Sequence, residues 1–280
     1  MLSMMSSILQ IKNGLILVLL MASESLLSPL MEEKGMELEI IPGDDTTILK
    51  PPHSHPWTVG LAFTLNGRIK CGGTLISRWN NEMIVLTAAH CVVHTRPSHV
   101  VVGEHDQTNP NDGQEFVAVK KIHFHPKWIA GNKDYDLAMI ELHKKITNPY
   151  AKALSLPWAN EKFAKYIVDG WGSTSPNGKL SDVLRTVSLD DIKATDPLAY
   201  KCQSLGIDYN IHICGENLNH IERGTCGGDS GGPWVGHRTS SNSYVLAGVH
   251  IRGACSDHSV AHAAMRLSNY PDIMKWIYGI

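Results

Sequence analysis

The sequence predicts an all-β fold that ends in one short helix, and two observations support this. Short apolar runs of strand length recur along the chain, and Gly, Pro, Asn and Asp separate them. After a proline-rich lead-in at residues 51–56, the runs occupy residues 57–65, 71–76, 83–86, 100–102, 116–122, 137–142, 167–171 and 245–251. The last segment, residues 270–277, instead suits a terminal helix.

The bulk composition is that of an ordinary globular protein. Of the 280 residues, 43% are hydrophobic and 19% are charged, and the formal net charge is −2. Such a chain can bury a sizeable core as one or two domains. Without a basic excess or an acidic tail, the sequence predicts neither a nucleic-acid partner nor a membrane partner.

The N-terminus is predicted to be removed before the protein works. After Lys12, residues 14–22 form an apolar run that is shorter than the ~20 residues a membrane span needs. Small polar residues follow at Ser23 and Ser25, which is typical of a signal peptide over residues 1–25. The alternative is a membrane anchor. Residues 26–39 become acidic without a core pattern, and we interpret them as a propeptide of a secreted protein.

Three segments hold the residue types of nucleophilic catalysis. Residues 87–91 read Thr-Ala-Ala-His-Cys, residues 134–138 read Asp-Tyr-Asp-Leu-Ala, and residues 225–233 read Thr-Cys-Gly-Gly-Asp-Ser-Gly-Gly-Pro. A serine hydroxyl becomes a good nucleophile when an imidazole takes its proton and a carboxylate orients that imidazole. From about residue 40 to its end, the chain resembles the chymotrypsin/trypsin family of serine proteases.

The resemblance implies two six-stranded antiparallel β-barrels with the active site between them, in a protease domain over residues 40–280. It also implies a serine endopeptidase in which Ser230 attacks, His90 is the general base and Asp136 orients His90. Asp134 is a competing carboxylate in the same segment. The backbone N–H groups of Gly228 and Ser230 are expected to form the oxyanion hole.

The chain has six cysteines, an even number that favours an oxidising compartment. The resemblance implies three disulfide bonds, which are Cys71–Cys91, Cys202–Cys214 and Cys226–Cys255. It further implies a monomer that acts on protein or peptide substrates and that protease inhibitors could regulate.

The resemblance implies activation by cleavage, because in this family a new N-terminal Ile pairs with the aspartate before the nucleophile. Here those residues are Ile40 and Asp229. Pro42 departs from the usual Ile-Val-Gly-Gly start, and Glu39 stands where Arg or Lys is usual. An activating protease of trypsin-like specificity would not recognise this bond.

The specificity pocket is predicted to lack an acidic group. Gly224 stands where trypsin-type relatives carry an aspartate, so cleavage after Arg or Lys is disfavoured. Counted from Gly248, His250 matches the pocket histidine of glutamate-specific relatives, and Thr225 matches their pocket threonine. Since both side chains can hydrogen-bond a carboxylate or an amide, we expect Glu, with Gln second, at the residue before the scissile bond (P1). Cleavage after Glu would make the Glu39–Ile40 bond a substrate of the enzyme itself.

Three other residues enter the pocket region. Counting back from Cys255 shifts His250 by one position and places Arg252 where the family has a glycine. Gly253 and His262 also fall on the pocket walls. Three alternatives stay open: a structural histidine at 250, a protease preferring a small or apolar P1 residue, and a catalytically silent homologue that acts as a secreted binding protein.

A loop near residue 104 resembles the calcium loop of trypsins. Glu104, Asp112 and Glu115 offer the hard oxygen ligands that Ca²⁺ prefers. A solvated acidic loop is the alternative. We therefore expect no required cofactor and a structural calcium ion at this loop.

Overall fold

The computed structural model describes residues 47–78, 81–220, 223–253, 255, 257, 259–268 and 271–279. All of them belong to one compact unit, Glu39–Ile280. The signal peptide predicted over residues 1–25, the propeptide over 26–39 and the new N-terminus at Ile40 lie outside the described residues.

Six antiparallel strands close the first barrel in the order β2-β3-β4-β7-β6-β5. They are β2 (Thr58–Ala62), β3 (Ile69–Ser77), β4 (Met83–Thr87), β5 (His99–Val102), β6 (Glu115–Phe124) and β7 (Ala138–Leu142). Strands β2 and β4 are buried almost throughout, whereas β6 also contributes partly exposed positions. The apolar runs at residues 57–65, 83–86 and 137–142 are therefore strands that pack around the interior of a barrel.

The second barrel closes through strands β8-β9-β10-β13-β12-β11, and β1 (Thr47–Ile48) adds to the edge of β9. Its strands are β8 (Lys165–Gly170), β9 (Arg185–Asp191), β10 (His212–Glu216), β11 (Pro233–Arg238), β12 (Ser243–Arg252) and β13 (His262–Arg266). Tyr166, Leu189 and Trp234 are among the side chains that fill its core. The predicted all-β fold of two six-stranded barrels is confirmed.

The predicted terminal helix is also present, as α2 (Pro271–Tyr278), and it buries Ile273 and Ile277. A further helix that the sequence did not indicate, α1 (Ala199–Gln203), carries Cys202. None of the helices in the described part of the chain is long and apolar enough to cross a membrane.

The two barrels contact each other where β3 and β4 approach the turn that leads into β11. The N–H of Gly72 donates to the carbonyl of Ser230 at 2.8 Å, and the hydroxyl of Thr87 donates to the carbonyl of Gly72 at 2.8 Å. Gly231 has a φ of +79°, and a Cβ there would lie 2.2 Å from Thr87 Oγ1. Only glycine therefore allows this close approach.

Three disulfide bonds join the same cysteine pairs that the family resemblance implies. Cys71–Cys91 lies in the first barrel beside His90, Cys202–Cys214 ties α1 to β10, and Cys226–Cys255 connects the segment before Ser230 to the segment after β12.

Candidate active site

His90 and Asp136 form a hydrogen-bonded pair at the end of the first barrel. His90 lies in a one-turn 3₁₀ helix, Ala89–Cys91, directly after β4, and its side chain is 40% exposed. The carboxylate of Asp136 is buried just before β7, and its Oδ2 lies 2.6 Å from His90 Nδ1. Its other oxygen accepts the backbone N–H of His90 at 2.8 Å. An ionised carboxylate only accepts, so Nδ1 carries the proton and Nε2 can take one.

The competing carboxylate, Asp134, lies elsewhere. Its side chain is 45% exposed, and Oδ1 is 3.7 Å from Nε2 of His212 rather than near His90. The structure therefore pairs His90 with Asp136.

Ser230 comes from the second barrel, in the turn that precedes β11. Its carbonyl accepts from Gly72 of the first barrel at 2.8 Å and lies 3.5 Å from Sγ of Cys91, the neighbour of His90. Two residues earlier, Gly228 has a φ of +104°, in the left-handed region that disfavours a side chain. The turn thus brings the serine and the glycine of the expected oxyanion hole to the junction where His90 lies.

The carboxylate of Asp229 is held by backbone N–H groups. Oδ1 accepts from Gly172 and Oδ2 accepts from Cys226, both at 2.8 Å. Burial raises the pKa of Asp229 to about 6, against the lowering effect of these two bonds, and the nearby charge of Asp169 adds to the rise. No basic group of the described residues pairs with it. Within the described part of the chain, it is thus a desolvated carboxylate without a cationic partner.

Thr225 and His262 meet at the floor of the predicted specificity pocket. Nδ1 of His262 lies 2.8 Å from Oγ1 of Thr225 and 3.4 Å from its backbone nitrogen. Both residues are 2% exposed. A Cβ on Gly224 would lie 2.1 Å from His262 Nε2, so the imidazole occupies the space beside that glycine. The floor of the pocket is therefore polar, and the pocket is shallow.

His250 lies on the same face of the sheet as His262. It is paired with Ala264 across β12 and β13, and His262 precedes Ala264 by two residues, which returns to the same face. His250 is fully buried, and its Nδ1 lies 3.0 Å from the indole Nε1 of Trp234. Its Nε2 is buried with no hydrogen-bond partner in the described structure. Burial, followed by the charges of His262 and His90, lowers the pKa of His250 well below its ordinary value.

Gly253 lies against Thr225 at the side of this pocket, and Arg252 next to it is exposed. A Cβ on Gly253 would lie 2.4 Å from Thr225 Oγ1, so the two walls touch. Arg252 is exposed, and its charge, after burial, lowers the pKa of Lys133. Arg252 is therefore not part of the buried Thr225–His262 cluster, and a role at the mouth of the pocket stays a prediction.

Comparison with known proteins decides the family. The family model described as "Trypsin" matches residues 47–277. Chymotrypsin-like elastase family member 1 of the rat is 33% identical over 206 residues, which cover 70% of this chain and 74% of the relative. The dog and human proteins of the same description are 32% and 33% identical, each over 70% of this chain and 76% of their own length. The chain belongs to the trypsin family. It is a serine endopeptidase.

Sequence reasoning missed a buried ion pair behind the pocket of this trypsin-family enzyme. Lys201 Nζ lies 2.9 Å from Glu216 Oε2, and the side chains are only 5% and 2% exposed. The other oxygen, Oε1, is 3.9 Å from His262 Nε2. A signal existed, because these residues flank the implied Cys202–Cys214 bond and a formed bond places them close together.

Calcium binding at the loop of Glu104, Asp112 and Glu115 stays a prediction. Within the described residues, no group of three or more His, Cys, Asp or Glu side chains is arranged to hold a metal ion. Glu104 and Asp112 share a hydrogen bond between their carboxyl groups, and burial, then Asp112, raises the pKa of Glu104 to about 7. Glu115 instead pairs with Lys144 at 2.6 Å. Glu104 Oε1 is buried without a hydrogen-bond partner in the described part of the chain.

Proposed function

We propose that Ser230 Oγ attacks the scissile carbonyl while His90 Nε2 accepts the hydroxyl proton. The C–N bond then breaks, His90 returns the proton to the leaving amine, and the acyl group stays on Ser230. Water activated by His90 hydrolyses this ester and regenerates the serine. Asp136 holds the imidazole, and the N–H groups of Gly228 and Ser230 stabilise the oxyanion. The hydrogen-bonded His90–Asp136 pair beside the Ser230 turn supports this assignment.

We further propose that the enzyme cleaves after Glu or Gln. The observation that carries this is the buried Nε2 of His250, which has no hydrogen-bond partner among the described residues. A buried donor without an acceptor costs about 1–3 kcal/mol, which a P1 carboxylate or carboxamide oxygen would recover. No acidic side chain of the described pocket faces the substrate to select Arg or Lys, since Glu216 lies behind His262 and is paired with Lys201.

A small or apolar P1 residue is the second candidate. The imidazole of His262 beside Gly224 and the contact between Gly253 and Thr225 leave little depth for a long side chain. The matched relatives are described as chymotrypsin-like elastases. The contact between Gly253 and Thr225 is also compatible with a catalytically silent homologue. A P1 side chain can enter the pocket only when these two walls separate.

We also propose that the protein is secreted as a zymogen. Three disulfide bonds fit an oxidising compartment. The unpaired carboxylate of Asp229 suits the ammonium group of a new N-terminus at Ile40. If P1 Glu is accepted, cleavage after Glu39 is autocatalytic.

The test uses the secreted full chain, in which the residues just before position 40 are replaced by the recognition sequence of an added protease. That protease then cleaves between residues 39 and 40. After cleavage, a fluorophosphonate probe should label the protein, and the Ser230→Ala variant should stay unlabelled. Peptides that differ only at P1 then decide specificity. Turnover of Gln and Glu peptides well above Ala, Phe and Arg supports the proposal, and Ala or Phe in first place supports the second candidate. A folded, cleaved chain without labelling supports the silent homologue.

A further inference from the structure

The tautomer of His250 follows from its one partner. An indole N–H only donates, so Nδ1 of His250 must accept from Trp234 at 3.0 Å. A neutral imidazole with an accepting Nδ1 carries its proton on Nε2. The partnerless buried atom is therefore an N–H donor.

The tautomer of His262 follows in the same way. The backbone N–H of Thr225 points at Nδ1 from 3.4 Å, and a backbone N–H only donates. Nδ1 is therefore an acceptor, and the proton of the neutral ring is on Nε2, which faces Glu216 Oε1 at 3.9 Å. The hydroxyl of Thr225, 2.8 Å from the same Nδ1, then donates to it as well. Having given its proton to His262, Thr225 Oγ1 offers an incoming group only lone pairs.

Among the described residues, a P1 side chain that enters here would therefore meet a donor, His250 Nε2–H, and an acceptor, Thr225 Oγ1, both buried in the structure. A carboxamide has a carbonyl acceptor and N–H donors, and it matches both groups. An ionised carboxylate only accepts, so it would meet the lone pairs of Thr225 without a proton between them. A buried polar mismatch of this kind is what allows a site to reject a close analogue.

We propose, resting on the assignment of P1 to Glu or Gln, that the Glu216–His262–Thr225 chain selects Gln at neutral pH and admits Glu only with one additional proton. That proton can reside on the P1 carboxyl, which then has the donor and acceptor pattern of Gln. It can also reside on His262, which then gives up the long bond from the Thr225 backbone N–H, donates through Nδ1 to Thr225 Oγ1 and frees that hydroxyl to donate to the substrate. In both cases the Glu complex holds one proton more than the Gln complex.

Lys201 is the positioning residue that keeps His262 neutral. Among the described residues, the charged or titratable groups that face His262 include Lys201 from α1, Glu216 from β10 and His250 from β12. Burial, then the charge of Lys201, lowers the pKa of His262 to about 4. Lys201 and Glu216 offset each other, so removing Lys201 alone leaves an anion beside His262 that favours the imidazolium.

The experiment measures kcat/KM of the full, cleaved enzyme for two peptides that differ only in P1 Gln or P1 Glu, from pH 5 to pH 8. Any pH effect on the catalytic machinery that both peptides share cancels in the ratio. We expect the Gln peptide to lead at pH 7.5. The Glu/Gln ratio should rise about tenfold for each unit that pH falls, because one extra proton is bound.

Two pairs of variants test the role of the Glu216–His262–Thr225 chain. Lys201→Met should raise the Glu/Gln ratio at pH 7.5 by about tenfold or more, which corresponds to a pKa rise of at least one unit on His262. Lys165→Met is its control, since it removes an exposed lysine 3.4 Å from Asp190, and it should leave the ratio unchanged. Should Lys201→Met not fold, Thr225→Ser, which keeps the hydroxyl, should retain the preference for Gln, whereas Thr225→Val should lose it.

Each outcome has a separate meaning. A Glu/Gln ratio that does not change with pH, or Glu in first place at pH 7.5, overturns this inference while leaving the P1 assignment intact. Cleavage of Ala or Phe peptides but of neither Gln nor Glu overturns the P1 assignment, and the inference with it. A pH-dependent ratio that neither Lys201→Met nor Thr225→Val changes overturns the role of the Glu216–His262–Thr225 chain.

Discussion

His55 and Asp169, 114 residues apart, form a buried pair in which Nδ1 lies 2.8 Å from Oδ1. The hydroxyl of Thr58 donates to the other carboxylate oxygen at 3.0 Å. His55 precedes β2 of the first barrel and Asp169 lies near the end of β8 of the second, so the pair connects the barrels close to Gly232, where a Cβ would lie 2.8 Å from the Asp169 carbonyl oxygen. Asp169 also acts on the pKa of Asp229.

Replacing Asp169 should therefore destabilise the protein strongly. Asp169→Ala leaves His55 and Thr58 without their shared acceptor in a buried site, and breaking such a pair costs about 3–5 kcal/mol. Urea unfolding measures this loss. The control is Asp182→Asn, which removes an exposed partner of Arg68 and should cost less than about 1 kcal/mol. Equal effects of the two substitutions would contradict a structural role for the buried pair.

The catalytic assignment predicts a sharp difference between two aspartates of one segment. Asp136→Asn removes the acceptor that fixes the proton on His90 Nδ1, and kcat should fall about 10⁴-fold with folding retained. Asp134→Asn, whose side chain lies against His212, should change kcat by less than about tenfold. Turnover of a P1-matched peptide measures both. A larger loss at Asp134 would exchange their roles.

Asp229 should make the uncleaved chain less stable as pH rises. Its folded pKa of about 6 lies above its ordinary value of 3.8, so the folded state binds the proton more tightly. The contribution of Asp229 to the free energy of unfolding is therefore highest at low pH. It falls between about pH 4 and pH 6, by up to about 3 kcal/mol. The difference in unfolding free energy between the wild type and Asp229→Asn, measured by urea from pH 4 to pH 7, isolates this contribution.

Cleavage before Ile40 should reverse this trend if the new ammonium pairs with Asp229. An ion-paired carboxylate has a lowered pKa, so its stabilisation persists at neutral pH and is lost on acidification. A difference between wild type and Asp229→Asn with the same pH dependence before and after cleavage would argue against the pairing.

The triad residues could be predicted from sequence because each lies inside a long local motif. The pattern of short apolar runs likewise predicted strands, since alternation with turn residues is a local property. The bounds of α1 were missed because its five residues are too short to show a helical period. Its position instead depends on the Cys202–Cys214 bond and on the buried Lys201–Glu216 pair.

The pocket could be predicted only in part because its contacts are long-range. Two alignments of residues 248–255 placed His250 differently, and sequence could not choose between them. In the structure, the backbone of His250 hydrogen-bonds with Gly231 and Gly232, the two residues that follow the nucleophile. These bonds fix the position of His250 on the neighbouring strand. Its partner Trp234 and the relation of Thr225 to His262 depend on strand register, which no local motif records.

Two neighbouring glycines before Ser230 give the last prediction. Gly228 has a φ of +104°, and a Cβ there would lie 2.5 Å from Cδ2 of Leu180, whereas a Cβ on Gly227 would meet nothing within 4 Å. Gly228→Ala should therefore rotate the peptide that carries one oxyanion donor, and loss of one donor lowers kcat about 10²–10³-fold. Gly227→Ala should keep kcat within about threefold, because its site is open and its φ is not restricted to glycine. Steady-state kinetics on one peptide, with urea unfolding of both variants, separates a lost oxyanion donor from lost folding. Equal kcat values for the two variants would exclude Gly228 from the oxyanion hole and leave its conformation a requirement of the turn alone.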